Sequence, residues 1–143
     1  MDRSELTCLD GARVLIVEGH DDTLEMNRLL LAHRGADVRV AATVEAALDL
    51  MRSWLPDAVL TDLRLPGMNA FELINQACAP GGDRVPVVGT SADVRPQARA
   101  RALDCGVCAY LTKPVEPEEL CSAVAQAVGL GTRWPAGPKE PVR

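Results

Sequence analysis

Aromatic side chains are scarce in this chain. Trp54, Phe71, Tyr110 and Trp134 make up 3% of its 143 residues. A core must therefore be built from Ala, Val and Leu, which pack closely where helices lie on a sheet. Basic residues are also short: 15 Lys and Arg stand against 20 Asp and Glu, a net charge of −5. That balance argues against general attraction to phosphate backbones, so no nucleic-acid partner is expected. No apolar run approaches the roughly 20 residues of a membrane span, so no membrane partner is expected either. The opening Met1-Asp2-Arg3-Ser4-Glu5 has no basic stretch leading into an apolar segment. A cytoplasmic chain without a signal peptide is the expectation.

Histidine is limited to His20 and His33, which leaves Cys105-Gly106-Val107-Cys108 without the second pair a zinc site needs. The other cysteines, Cys8, Cys78 and Cys121, bring the count to five. An odd, scattered set without a secretion signal does not form a disulfide framework. A thioredoxin-like pair should open a helix, whereas this one precedes a short strand. Small, semi-buried thiols are the simpler account. Phosphate-cradling signatures are missing too: there is no G-x-x-x-x-G-K and no G-x-G-x-x-G after the first strand. An acidic first loop would also repel a flavin phosphate.

What is present is an alternation of short apolar runs and helical patterns. Arg13–Val17 reads as a strand buried on both faces. Asp22 to Arg34 reads as a helix with Met26, Leu29, Leu30 and His33 on its inner stripe, closed by Gly35. Val38–Ala41 is a second strand. Thr43 caps a helix carrying Val44, Ala47, Leu48 and Met51, which stops before Pro56. Ala58–Thr61 is a third strand, with a turn at Pro66-Gly67. Asn69–Ala79 is a helix buried through Phe71 or Leu73, Ile74 and Ala77, ending at Pro80-Gly81-Gly82. Val85–Gly89 is a fourth strand, Pro96–Asp104 a weaker helix rich in Ala and Arg, and Ala109–Leu111 a brief fifth strand. The last helix starts near Pro117, with Glu118 and Glu119 set against its dipole and Leu120, Val124 and Ala127 inward.

Five βα units in succession predict an α/β fold: a doubly wound, five-stranded parallel sheet of order 2-1-3-4-5, flavodoxin-like (βα)5. The expected organisation is an N-terminal extension over residues 1–10, one domain over 11–129, and a flexible tail or truncated linker over 130–143. In such sheets the site lies beyond the carboxyl ends of the strands. Those ends carry Glu18-Gly19-His20-Asp21-Asp22, Asp62, Gly89-Thr90-Ser91-Ala92 and Thr112-Lys113-Pro114. Glu18, Asp62, Ser91 and Lys113 should converge there. Facing carboxylates repel unless a cation sits between them or one takes a proton. A few oxygen ligands suit Mg²⁺, which keeps waters and shares its shell with a phosphoryl group. The set suits transfer of a phosphoryl group to a carboxylate.

At these residues the chain resembles the response-regulator receiver domains of two-component, chemotaxis-regulator-like signalling. The matching stretches are Val14–Glu18, Asp57–Met68, Val85–Ala92 and Tyr110–Pro114, within a resemblance covering residues 11 to 129. The resemblance implies that Asp62 is the phosphoacceptor for a histidine kinase or phosphotransfer protein. The metal would be Mg²⁺, held by Glu18 through water, by Asp62 and by the Arg64 backbone carbonyl. Ser91 and Lys113 would bind the phosphoryl oxygens, with a cis peptide between Lys113 and Pro114. Tyr110 would be the aromatic switch that turns inward as Ser91 moves. Such a protein takes the group onto itself and is not a turnover enzyme.

The resemblance also implies a downstream protein partner at the Arg95–Arg101 helix, the Tyr110 strand and the final helix, and a homodimer formed on phosphorylation. Read without the resemblance, Arg95, Arg99 and Arg101 are a solvated face, Tyr110 an edge aromatic and His20 a loop residue.

One position departs from the family. The second acidic residue after strand one, the direct metal ligand, is here Gly19. Loss of even an outer-shell partner costs about 10- to 100-fold in metal affinity, so weak Mg²⁺ binding is expected. Asp21 and Asp22 are close enough to reach back, and equally suit a helix N-terminus. Ala70, where the family often has Gly, is a smaller deviation. Gly19 thus motivates an alternative function, a pseudo-receiver that binds partners without phosphorylation. A stand-alone phosphatase or reductase fits the motifs less well. With no output domain expected in the tail, the chain reads as a single-domain regulator or a receiver cut from a larger protein such as a hybrid kinase.

Overall fold

Residues 14–17 of the first strand are buried without exception, and so are all five residues of the third and fourth strands. Only a strand covered on both faces can afford that pattern. The computed structural model describes residues 9–64, 70–77 and 85–130. In it, β1 (Arg13–Val17), β2 (Asp37–Ala41), β3 (Ala58–Asp62), β4 (Val87–Ser91) and β5 (Ala109–Thr112) form one parallel sheet of order β2-β1-β3-β4-β5. The helices between and after them are α1 (Asp21–His33), α2 (Val44–Trp54), α3 (Ala70–Ala77), α4 (Pro96–Cys105) and α5 (Pro117–Leu130). This is the flavodoxin-like α/β fold expected.

Alternate residues along each strand feed two separate cores. Leu15, Val17, Val59 and Val87 pack with Val44, Ala47 and Trp54 of α2, Leu73 and Ile74 of α3, and Ala102 of α4. Val14, Ile16, Leu60 and Val88 pack on the opposite face with Leu31 of α1 and Leu120, Val124 and Ala127 of α5. Leu9, ahead of β1, joins that second core. The edge strand β2 is mostly exposed and carries Asp37 and Arg39, charges that discourage another chain from pairing with it.

Some expectations were displaced. The inner face of α1 is built on Leu24, Leu30 and Leu31 rather than on Met26 and Leu29, which are 56% and 54% exposed; His33 is exposed as well. Three leucines in succession allow two phases of the same helical period, and the phase that packs leaves polar Asn27 half-buried. The fourth strand runs Val87–Ser91 instead of Val85–Gly89. Pro86 has no N–H to enter the ladder, although its carbonyl accepts from Val59. Gly35 takes a left-handed φ of +99°, and a Cβ there would fall 1.9 Å from Asp10 Oδ1. The turn at Pro66-Gly67, the ends of the Asn69–Ala79 helix, Pro80-Gly81-Gly82, Cys8, Cys78, Trp134 and the 131–143 tail lie outside the described residues.

Candidate functional site

Parallel register delivers the site. Val17 is paired with Thr61, Asp62 with Thr90, and Ser91 with Thr112, so the chain leaves the sheet at one edge as Glu18, Asp62, Ser91 and Lys113. Asp62 is itself the last residue of β3 and Ser91 the last of β4, one and two residues further along their strands than the sequence suggests. Both carboxylates are buried, Glu18 to 2% and Asp62 to 6% exposure.

One ammonium lies between them. Lys113 Nζ donates to Asp62 Oδ2 at 3.2 Å and stands 3.5 Å from Glu18 Oε1. The lysine is held from two directions: its backbone N–H donates to the Ser91 carbonyl at 2.8 Å, and the following peptide to Pro114 is cis. Asp62 Oδ1 accepts from the Arg64 backbone N–H at 2.9 Å. Two buried carboxylates with one shared ammonium leave a formal excess of one negative charge. That excess is the condition under which a cation is drawn in.

His20, a loop residue between β1 and α1, turns back onto Glu18. The His20 backbone N–H donates to Glu18 Oε2 at 3.2 Å, and its ring Nδ1 lies 3.3 Å from the same oxygen. Glu18, His20 and Asp62 each bring a ligand atom within 4.8 Å of the others. The signal was in the sequence, as a histidine beside a missing acid, but histidine rarity alone gave it no direction. Asp21 and Asp22 are exposed in the first turn of α1, where they suit its dipole. They are not part of the described cluster. The buried carboxylates and the charge excess fit a divalent cation with Glu18 and Asp62 as ligands.

Ser91 is buried, and its hydroxyl accepts from the Asp93 backbone N–H at 3.0 Å. Asp93 is the centre of a second cluster that the sequence did not reveal. Its carboxylate takes two side-chain bonds from Arg95, at 2.9 and 2.6 Å, and one from the Arg95 backbone N–H. The Arg95 guanidinium, with that backbone N–H, lowers the Asp93 carboxyl to about 2. The Asp93 carbonyl accepts from the Tyr110 hydroxyl at 2.6 Å. Tyr110, on the edge strand β5, is therefore turned inward and 6% exposed.

Arg99 donates to the Tyr110 carbonyl at 3.3 Å, and the Arg101 guanidinium sits 5.3 Å from the centre of the Phe71 ring. Arg95, Arg99 and Arg101 are all exposed, a solvated face as expected, with these contacts at its inner margin. Cys105 is half-buried and Cys108 exposed.

Residues 14–125 match the response regulator receiver domain family, and the chain belongs to it. It is 38% identical over 114 residues to an uncharacterized 14.6 kDa protein of Leptolyngbya boryana, covering 79% of this chain and 87% of that one. It is 34% identical over 134 residues to the sensory/regulatory protein RpfC of Xanthomonas campestris, covering 92% of this chain and 18% of that protein. Among solved structures, the CheY-like receiver domain protein of Methanospirillum hungatei superposes with a TM-score of 0.74 at 25% identity, over 84% of this chain and 95% of that one. Receiver domains of this family work in two-component signalling, generally bind Mg²⁺, and interact with histidine kinases and downstream effectors. No helix among the described residues is long and apolar enough to cross a membrane.

Proposed function

We propose that the chain is a phospho-accepting receiver and that Asp62 is its acceptor. The observation that carries this reading is the Lys113 ammonium held between the buried Asp62 and Glu18 carboxylates at the carboxyl edge of the sheet. An Asp62 oxygen attacks the phosphorus of a phosphohistidine on a kinase or phosphotransfer protein. A P–O bond forms as the P–N bond breaks; the departing ring nitrogen takes the bonding pair, and the neutral imidazole left behind carries its proton on the other ring nitrogen. The protein takes on the group itself and is not a turnover enzyme.

Lys113 is placed to follow the oxygen it now contacts and to offer its N–H groups to the phosphoryl oxygens. Mg²⁺ held by Glu18, Asp62 and the Arg64 carbonyl would supply charge neutralisation at those oxygens. The Ser91 hydroxyl, on the neighbouring strand end, would bind the phosphoryl group and release the Asp93 N–H. That movement would reach Tyr110 through the Asp93 carbonyl and so alter the face formed by α4, β5 and α5. A cavity of about 430 Å³ lined by Phe71, Ser91, Ala98 and Tyr110, among others, gives this segment room to shift. A downstream protein, or a second phosphorylated copy, would read that face in the cytoplasm.

The test is incubation with acetyl phosphate or a phosphorylated histidine kinase, with intact mass as the readout. The native protein should gain one phosphoryl group and Asp62→Asn none; no gain from any donor would overturn the reading. A second reading, a pseudo-receiver that binds its partner without phosphate, is favoured by Gly19 and by Tyr110 already lying inward on Asp93. Its distinguishing result is partner binding of equal strength by the native protein and by Asp62→Asn.

A further inference from the structure

Gly19 removes a carboxylate from the place where a cation would be held, and the next residue brings a different donor to the same place. His20 is the N-cap of α1, extended at φ −92° and ψ 120°, with no side-chain cap bond of its own. Its backbone N–H and ring Nδ1 both face Glu18 Oε2, at 3.2 and 3.3 Å. The ring is otherwise open to solvent, its side chain 80% exposed beside a Glu18 side chain only 3% exposed. Imidazole nitrogen and two carboxylate oxygens converge within 4.8 Å of one another. Ligands about 2.0–2.2 Å from one ion stand about 3–4.4 Å apart, so small side-chain adjustments bring all three onto a single cation.

We propose that His20 replaces the missing acid as the third side-chain ligand, giving a Glu18–His20–Asp62 site that takes imidazole-binding divalent ions such as Mn²⁺, Co²⁺ or Zn²⁺ in preference to Mg²⁺. Mg²⁺ demands hard oxygen donors in near-ideal octahedral geometry and is left here with two carboxylates and the Arg64 carbonyl. Imidazole suits the later first-row ions, whose affinities rise along the series toward Cu²⁺. The exposed ring leaves the outer coordination positions to water. The pocket is the one assigned above to phosphoryl transfer, but the inference concerns the metal alone and stands without that transfer.

Any mixed nitrogen and oxygen site prefers Co²⁺ to Mg²⁺, so the preference by itself does not identify His20. The discriminating quantity is the change in the ratio of the two affinities when the ring is removed. Isothermal titration with Co²⁺ and with Mg²⁺, with no phosphoryl donor present, should therefore compare the native protein, His20→Ala and His33→Ala. Loss of the ring should weaken Co²⁺ about tenfold or more and Mg²⁺ by less than about threefold. His33→Ala, which removes the other exposed imidazole, should change neither. The Co²⁺ absorption spectrum should lack the intense band of a thiolate ligand, which separates this site from Cys105 and Cys108. Equal loss for both ions in His20→Ala, no loss for either, a thiolate band, or no saturable Co²⁺ binding to the native protein overturns the proposal. Failure to take up a phosphoryl group, measured separately on Asp62, would leave it standing.

Discussion

The two ends of the sheet use the same ingredients, a buried carboxylate and a basic side chain, and use them differently. At the amino edge, Asp57 accepts from the Arg13 backbone N–H at 2.8 Å, while the Arg13 guanidinium donates to the Trp54 carbonyl at 2.7 Å. Arg13 and Arg39 both approach the Trp54 ring, at 5.9 and 4.9 Å from its centre. There the carboxylate joins β1 to β3, and the guanidiniums seal α2 against the sheet. At the carboxyl edge, Glu18 and Asp62 share one ammonium, and their remaining contacts come from neighbouring residues two positions away. The first arrangement holds structure together. The second keeps acceptor oxygens concentrated and short of positive charge, which a folding role alone would not favour.

That contrast can be broken from either end. The largest effect on stability is expected from Asp57→Ala, which leaves the Arg13 N–H without its carboxylate and should cost about 1–3 kcal/mol in urea unfolding. Asp62→Asn, equally buried, removes one of two carboxylates from beside a single ammonium. It should leave stability unchanged or raise it. Similar losses in both variants would erase the distinction between the edges.

A change of comparable size, read as affinity, is expected from Gly19→Asp. Restoring an acid beside Glu18 should strengthen Mg²⁺ binding about tenfold or more by calorimetry. No change would mean that the pocket is not short of a ligand.

Tyr110→Phe should cost about 0.5–1.5 kcal/mol, the ordinary worth of one hydrogen bond, through loss of the bond to the Asp93 carbonyl. The smallest effect is expected from Asp93→Asn, and it depends on pH. The native Asp93 carboxyl sits at about 2 against an ordinary 3.8, so its contribution is fully present above the ordinary value and lost as pH falls toward 2. The native and Asp93→Asn melting temperatures should differ slightly at neutral pH and converge across that window. Salt should shrink the difference, since the Arg95 side chain is largely exposed.

Much of this was legible in the sequence because the strands are apolar throughout and their carboxyl ends are not. Val14–Val17 followed by Glu18, and Ala58–Thr61 followed by Asp62, mark both the sheet and its functional edge. The start of β4 was misplaced because Val85 looks as good a strand residue as Val87, and only the missing N–H of Pro86 separates them. The face of α1 was misread because Leu29, Leu30 and Leu31 are interchangeable by hydrophobicity and only the neighbouring sheet selects among them. The Asp93–Arg95–Tyr110 cluster was not visible because it depends on a backbone carbonyl meeting a hydroxyl 17 residues away. His20 was set aside for a related reason: spacing cannot show which way an exposed ring turns.

The most direct test of the central claim, that the carboxyl edge is a phosphoryl-accepting pocket, is NMR of backbone amides during titration with divalent metal and beryllofluoride, a phosphoryl mimic. Trp54 lies at the opposite edge, so its fluorescence is poorly placed to report. The account predicts saturable shifts at Arg64, Asp93 and Lys113 that extend to Tyr110 and are absent in Asp62→Asn. Unchanged spectra in the native protein, or identical shifts in Asp62→Asn, would contradict it.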